Sequence, residues 1–368
     1  SQCGIKETRF QQHLKGLPEG RVLITETVLT EAPLTPTAKQ VVLPAAQAAG
    51  DRPFAEALRE LLVSQGAAAV GVAPVERIDR LVAQMRPHFD GQTIFDVKDA
   101  ARPYSPPVPE VTTRVRRLKT AADLLPGARS VVVFGLPLPQ ASVDHTARHD
   151  AEAVGPITFA QYESINLLAI MLRRAIALCE RYGVRAEWSF DLDGSASFVA
   201  NPRGQQPDGF SNRFAAWAAG LVRLGKGGFP IHPEHGTRMR YAALVIDREL
   251  PADAPLASWQ PTQCASCDRC VQRCTTAAFG KDIRLDLDGV SDVFRLIDPA
   301  RCDWAKRFSL VGSEGTFFTG WNLDVPAPEV ITAEALADAV RQHPAIEKRR
   351  PCDFDACILA CPYTRPQA

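Results

Sequence analysis

From Pro53 onward the apolar positions change period block by block, and each block reads as one element. Phe54 to Gly66 carries Leu58, Leu61 and Leu62 at three- and four-residue steps and stops at a glycine, the mark of a helix with a left-handed cap. Ala67 to Pro74 is a short apolar run and reads as a strand. Residues 100–112 are rich in Pro and read as a loop. Ala121 to Arg129 then leads into a buried strand, Ser130-Val-Val-Val-Phe-Gly-Leu-Pro137. The strongest helical pattern spans Phe159 to Tyr182, where Tyr162, Ile165, Leu168, Ala169, Leu172, Ile176 and Cys179 recur on one face and Gly183 caps the end. A strand follows over Ala186 to Asp191, then a Gly-, Pro- and Ser-rich loop over 192–212 and a small-residue helix from Phe214 to Leu221. A strand from Tyr241 to Asp247 precedes a Pro-rich connector at 251–261.

This alternation predicts an α/β (α+β) domain over residues 53–255. Residues 1–52 read as an N-terminal extension, partly strand at Arg21-Val-Leu-Ile-Thr, lying over that domain. Residues 256–368 form a cysteine-dense module. The composition of the 368-residue chain, 46% hydrophobic and 23% charged, is that of a globule with ample core. Formal net charge is zero, which gives no global push toward nucleic acid or anionic membrane, so a nucleic-acid partner is unexpected. No run approaches the roughly 18–20 apolar residues that cross a bilayer, so no membrane span is expected. Nor does the start show a basic segment followed by an apolar one, which points to a cytoplasmic protein, although a beginning at Ser1 leaves a removed export signal open.

Eight of the ten cysteines fall in the last 105 residues, a concentration that suits metal rather than disulfides. Cys264-Ala-Ser-Cys267-Asp-Arg-Cys270-Val-Gln-Arg-Cys274 has the C-x2-C-x2-C-x3-C spacing that wraps three thiolates around one iron–sulfur cube and sends the fourth to another. Cys352, Cys357 and Cys361-Pro362 form the complementary half, and Cys302 lies between. Two [4Fe–4S] cubes need eight thiolates, and eight are present. By the crossing rule one cube takes Cys264, Cys267, Cys270 and Cys361, and the other takes Cys274, Cys302, Cys352 and Cys357. Two features depart from the common pattern: a Thr follows Cys274 where Pro is usual, and four residues separate Cys352 from Cys357. Structural zinc is the competing use of such cysteines. Cys3 and Cys179 remain outside the set, Cys179 as a small side chain on the long helix.

Two other polar clusters read as ordinary surface. Arg114-Val-Arg-Arg-Leu-Lys119 is expected as a solvated basic face. Residues 138–156, with Asp144, His145, His149 and Asp150, are expected as a surface loop rather than a metal site. A carrier of electrons needs only the cysteine module of some 60 residues, so the long segment ahead of it implies a substrate or second-cofactor site.

Several stretches ahead of the cysteines carry a resemblance. Gly66-Ala-Ala-Ala-Val-Gly-Val-Ala-Pro74, Gly127-Ala-Arg-Ser-Val-Val-Val-Phe-Gly-Leu-Pro137, Ala219-Gly-Leu-Val-Arg-Leu-Gly-Lys-Gly-Gly228, Pro233-Glu-His-Gly-Thr-Arg-Met-Arg240 and Asp298-Pro-Ala-Arg-Cys302 occur in that order. Followed by this cysteine pattern, they resemble the cobalamin-dependent iron–sulfur reductases: reductive dehalogenases and epoxyqueuosine reductase. The resemblance covers about residues 55–365.

The resemblance implies a nitroreductase-like domain that buries base-off cobalamin, followed by a ferredoxin-like double [4Fe–4S] module. The sequence has no D-x-H-x2-G stretch, in keeping with cobalamin held without a histidine lower ligand. Gly225, Lys226, Gly227, Gly228, His235 and Gly236 become candidates for gripping the corrin through close backbone approach. Tyr162, Asp191 and Asp193 become candidate acids, although Asp191-Leu-Asp193 lacks the D-T-A-P context of the epoxyqueuosine enzymes. Arg238 and Arg240 become candidates to assist the acid or hold an anion. The implied reaction is reductive cleavage of a carbon–heteroatom bond, with dehalogenation of a small organohalide ahead of epoxyqueuosine reduction on tRNA. The implied electron donor is ferredoxin, flavodoxin or a similar carrier. A purely electron-transferring or corrinoid-activating protein is the contrasting class, with neither substrate pocket nor buried acid.

Overall fold

The most apolar stretches pair with each other. In the computed structural model, which describes residues 53–99, 109–141, 143, 155–189, 212–310, 323–343 and 356–364, they form one four-stranded sheet. Its order is β1 (Ala69–Pro74), β4 (Ser130–Pro137), β8 (Met239–Ile246) and β5 (Ala186–Ser189), and every pairing is antiparallel. β8 is buried along its whole length and β4 in all but its last residue, because helices cover both faces of the sheet. All described residues lie in one compact unit spanning Ala48–Ala368.

Strand parity sorts the core into two layers. Val132, Phe134, Ala242, Leu244 and Ile246 face α1 (Phe54–Ser64) and α4 (Gly155–Arg181), which contribute Leu58, Leu62, Leu168, Leu172 and Cys179. Burial pushes the Cys179 thiol up to about 12, so it is a packing group there. Val131, Val133, Tyr241, Ala243 and Val245 face α2 (Val75–Phe89) and α5 (Asn212–Ala218), which contribute Ile78, Leu81, Met85, Phe214 and Trp217. This second layer also takes in Ile283, Leu285, Leu287 and Phe294 from a hairpin of β9 (Phe279–Leu287) and β10 (Val290–Ile297). The segment after the connector therefore shares a core with the one before it.

The architecture is mixed α/β, and several elements depart from the sequence reading. Residues 75–99, left unassigned by pattern, hold α2 and strand β2 (Thr93–Asp99). β2 pairs with β3 (Pro109–Val115), so residues 109–112 are strand and not loop. Pro109 can open a strand because its missing N–H falls at the first position, and the β-branched Val111-Thr-Thr run then suits the ladder. The basic patch at 114–119 alternates instead of lying wholly in solvent. Arg116 is 7% exposed, its guanidinium 5.7 Å over the Phe89 ring and bonded to Gln92 Oε1 at 2.9 Å, and Leu118 is buried beside it. Within the stretch expected as a surface loop, Val143 is fully buried; Asp144, His145, His149 and Asp150 lie outside the described residues. α4 begins at Gly155, four residues before its apolar pattern, and β8 begins at Met239, which brings Arg240 into the sheet.

One buried ion pair joins the two segments. β6 (Arg223–Leu224) precedes the glycine-rich loop, and Arg223 bonds Asp292 of β10 from Nη2 at 2.6 Å and from Nε at 2.9 Å. The Leu224 amide donates to the same carboxylate at 2.9 Å. Arg223 Nη1 donates to the Leu256 and Trp259 carbonyls and Nη2 to Ser291 O, so all five guanidinium hydrogens are used. Both side chains are 5% exposed. Removing one partner leaves a buried charge, so Asp292→Ala should lower unfolding stability by about 3–5 kcal/mol in urea titration; a loss under about 1 kcal/mol, the scale of a surface pair, would mean that the pair is solvated.

Candidate functional site

Four stretches meet at the cysteines: the turn Thr262–Ala265, the short helix α6 (Arg269–Gln272), the loop 225–236, and the C-terminal helix α9 (Ala356–Leu359) with its following turn. Cys264, Cys267, Cys270 and Cys361 are thiols outside any disulfide. They form one electrostatic neighbourhood. Burial raises the Cys264 thiol, and Cys267 adds to the rise. Burial raises Cys270 likewise, with contributions from Cys264 and Cys267. Cys361, which arrives from 91 residues beyond Cys270, is pushed up to about 12 by burial and by the nearby Cys264 and Cys270. These are the four thiols that the spacing rule assigned to one cube.

Backbone amides are aimed at these sulfurs. The Lys226 amide favours a negative Cys264 sulfur, and the Tyr363 and Thr364 amides do the same for Cys361. Such N–H donors stabilise thiolates and tune a bound cluster. The donor set is all sulfur and collects where like charges would repel without a metal, which suits an iron–sulfur cube and a four-thiolate zinc site alike. Among the described residues no three His, Cys, Asp or Glu side chains gather tightly enough to hold one metal ion.

The second set is seen in part. Cys274 Sγ accepts from the Ala278 amide at 3.3 Å and lies 3.8 Å from the Thr276 hydroxyl. That hydroxyl donates to Arg301 O at 2.8 Å, beside Cys302 in α7 (Pro299–Phe308). Cys357 precedes Cys361 by one helical turn. Cys352 lies outside the described residues.

The candidate corrin residues lie against the cysteine module. A Cβ on Gly225 would stand 2.6 Å from Ile231 Cδ1 and 3.2 Å from Cys264 Sγ. Lys226 Nζ pairs with Asp268 at 3.0 Å. Gly227 is closed by the Phe229 ring, and Gly228, at φ +72°, abuts Phe294 while its carbonyl accepts from Arg213 at 2.8 Å. His235 stacks on His232 with ring centres 5.1 Å apart. Gly236, at φ +57°, lies so close to the Tyr363 carbonyl that any Cβ would overlap it.

Of the candidate catalytic groups, Arg238 and Arg240 are buried at 8% and 5% exposure. Arg238 Nη1 bonds Leu138 O at 2.7 Å and Arg240 Nη1 bonds Met239 O at 3.3 Å. Strand parity puts Arg240 on the sheet face covered by α4, the helix that carries Tyr162, and Arg238 immediately precedes that strand. Asp191 and Asp193 lie outside the described residues. On the opposite face Asn212 Oδ1, Trp217 Nε1 and Tyr241 Oη are buried with no hydrogen-bond partner, and burial holds the Tyr241 phenol well above its usual range. Each such atom costs about 1–3 kcal/mol until a polar group meets it. They sit on or beside α5, whose Arg213 bonds the Gly228 carbonyl.

Sequence reasoning missed a latch. The Thr237 and Thr364 hydroxyls meet at 2.6 Å, Thr364 Oγ1 donates to Ile358 O at 2.5 Å, and the Thr237 amide donates to Tyr363 O at 3.3 Å. The Tyr363 hydroxyl accepts from the Gln263 amide at 3.1 Å, next to Cys264. A cleft of about 740 Å³ opens beside it, lined among others by Gly236, Trp259, Cys267, Arg269 and Tyr363.

No family model matches the chain. It is similar to a curated epoxyqueuosine reductase of Synechococcus sp. (strain RCC307), 40% identical over 73 residues, 19% of this chain and 22% of that protein. The chain thus matches about a fifth of that relative's length. Among solved structures it is similar to epoxyqueuosine reductase from Streptococcus thermophilus, at 15% identity and a TM-score of 0.43 over 84% of this chain and 66% of that one. A selenomethionine-labelled epoxyqueuosine reductase gives 17%, 0.45, 85% and 66% in the same order. A reductive dehalogenase described for B12-dependent dehalogenation gives 16%, 0.43, 86% and 37%.

The latch makes a specific demand. Gly236→Ala should displace the C-terminal turn and, in protein purified without oxygen, lower iron content by about one cube, whereas Gly289→Ala, which carries the same positive-φ strain (+86°) but whose Cβ meets nothing within 4 Å, should leave iron unchanged. Full iron retention in Gly236→Ala would show that Cys361 is placed by other contacts.

Proposed function

We propose that this chain is a cobalamin- and iron–sulfur-dependent reductase that cleaves a carbon–heteroatom bond. The observation that carries the reading is the gathering of Cys264, Cys267, Cys270 and Cys361 beneath the Gly225–Lys226 loop. That arrangement supports a cluster wired to the segment ahead of it. In this reading residues 53–255 form the cobalamin and substrate domain and residues 256–368 the double-cluster module, with Cys274, Cys302, Cys352 and Cys357 holding the second cube. Cobalamin, when bound, supplies a cobalt centre that accepts single electrons and reacts with carbon.

The protein's own groups position, dry and protonate. The buried guanidinium groups of Arg238 and Arg240 hold an amide or a substrate anion inside the sheet's helix-covered face, where a charge acts strongly because water is excluded. Gly225, Lys226, Gly227, Gly228, His235 and Gly236 shape the wall between cofactor and cluster. Tyr162, Asp191 or Asp193 delivers the proton. Electrons come from ferredoxin, flavodoxin or a similar carrier, and the setting is cytoplasmic. Among the described residues no helix is long and apolar enough to cross a membrane.

A small organohalide is the preferred substrate, because the zero net charge lacks the basic footprint of a tRNA-binding enzyme. A second reading, reduction of epoxyqueuosine in tRNA, is favoured by the 73-residue match to an enzyme of that name; it removes any firm exclusion of nucleic acid. Protein purified without oxygen and reduced with methyl viologen should release halide from a panel of haloaromatics. Conversion of epoxyqueuosine tRNA without halide release would establish the second reading, and protein that takes up no corrinoid would overturn both.

A further inference from the structure

We propose that the face formed by Arg269 and Arg273 is the docking surface for a small acidic one-electron carrier protein, which delivers electrons at the Cys267 and Cys361 edge of the first cluster. The proposal rests on the cluster reading above and adds where and by what charge the donor binds. Arg269 and Arg273 are four residues apart on one helical turn, the Arg273 amide bonding Arg269 O at 3.0 Å, so both side chains share a face. Both are exposed, and among the described residues neither makes an ion pair or side-chain hydrogen bond.

They bracket two openings. The 740 Å³ cleft has Arg269 at its rim and reaches Cys267; a second, of about 560 Å³, lies between Arg269, Arg273 and the Leu359–Pro362 turn and reaches Cys361. Among the described residues, nearby charge does not cancel the pair. Lys226 neutralises Asp268 at 3.0 Å, which leaves Glu234, itself facing His235 at 4.0 Å, against two arginines. In a chain of zero net charge this is a local positive patch over the half-buried Cys267 and the buried Cys361, thiols that the sequence assigns to a cluster. A partner with an acidic rim around an exposed redox centre matches it in sign and brings the centres close. The transfer balances simply: the carrier loses one electron and the cluster gains it, with no bond made or broken.

The test uses holoprotein purified without oxygen, with a reduced acidic [2Fe–2S] ferredoxin as probe and methyl viologen as a donor that needs no docking. In the wild type, ferredoxin affinity by titration and the rate of cluster bleaching should both fall as salt rises. Arg269→Glu with Arg273→Glu should slow bleaching by ferredoxin about tenfold or more at low salt and weaken binding in parallel. Viologen bleaching and the cluster spectrum should stay as in wild type, and the Arg269→Lys, Arg273→Lys pair should retain most of the ferredoxin rate. Arg273→Glu alone provides the reading if the double variant loses its cluster. Unchanged ferredoxin affinity and rate in the charge-reversed protein would overturn the proposal, as would loss of RNA binding with ferredoxin transfer intact. Wild-type protein that holds no iron would instead refute the cluster reading itself.

Discussion

The close approach of two backbones, Gly236 against the Tyr363 carbonyl, is the contact on which the site depends. A fourth thiol from the end of the chain must reach three thiols that lie some 90 residues earlier, and closing so long a segment costs conformational entropy. The glycine lets the turn come in without a side chain between, and the Thr237–Thr364 hydroxyl pair then fixes its register. On the other side, the Arg223–Asp292 pair presses the start of the glycine loop onto the hairpin that follows the cysteines. Between these two ties the Lys226 amide is left facing Cys264.

That arrangement explains why the thiols lie in an apparently unfavourable place. Burial and mutual proximity raise the affinity of Cys264, Cys270 and Cys361 for protons, yet amide donors are aimed at the same sulfurs. The two influences oppose each other in a metal-free chain and act together once a cluster replaces the protons. A shared hydrophobic layer beneath, with Ile283, Leu285 and Phe294 packed on α2 and α5, keeps the module from moving away from the sheet. Arg240 and the buried Tyr241 hydroxyl are held by the same strand, β8, and Arg238 immediately precedes it. Cluster site and interior polar groups are thus parts of one compact unit.

Much of this was legible in the sequence because the signals were local. Three cysteines at two-residue gaps fold around one point whatever surrounds them, and Cys361 lies within electrostatic reach of two of them, Cys264 and Cys270. The apolar run at Ser130–Pro137 and the helical stripe ending at Cys179 are also local patterns, and both elements form. What escaped depends on partners far away in the chain. Thr237 and Thr364 are 127 positions apart, and neither carries any mark of the other. Asp292 looks like an ordinary polar position in a hairpin until Arg223 is placed beside it. Arg116 sits in a basic run, and the Phe89 ring and Gln92 Oε1, both from earlier in the chain, draw it inward. Glycines 225, 227, 228 and 236 announced close approach without saying to what; the groups seen there are Cys264, Phe229, Phe294 and Tyr363.

The central claim is that four thiolates from opposite ends of the module hold an iron–sulfur cube rather than a single ion. Its most direct test is the amount of iron, inorganic sulfide and zinc in the protein isolated without oxygen. Iron and inorganic sulfide in equal amounts, with little zinc, is the predicted result. Stoichiometric zinc without inorganic sulfide would contradict the account.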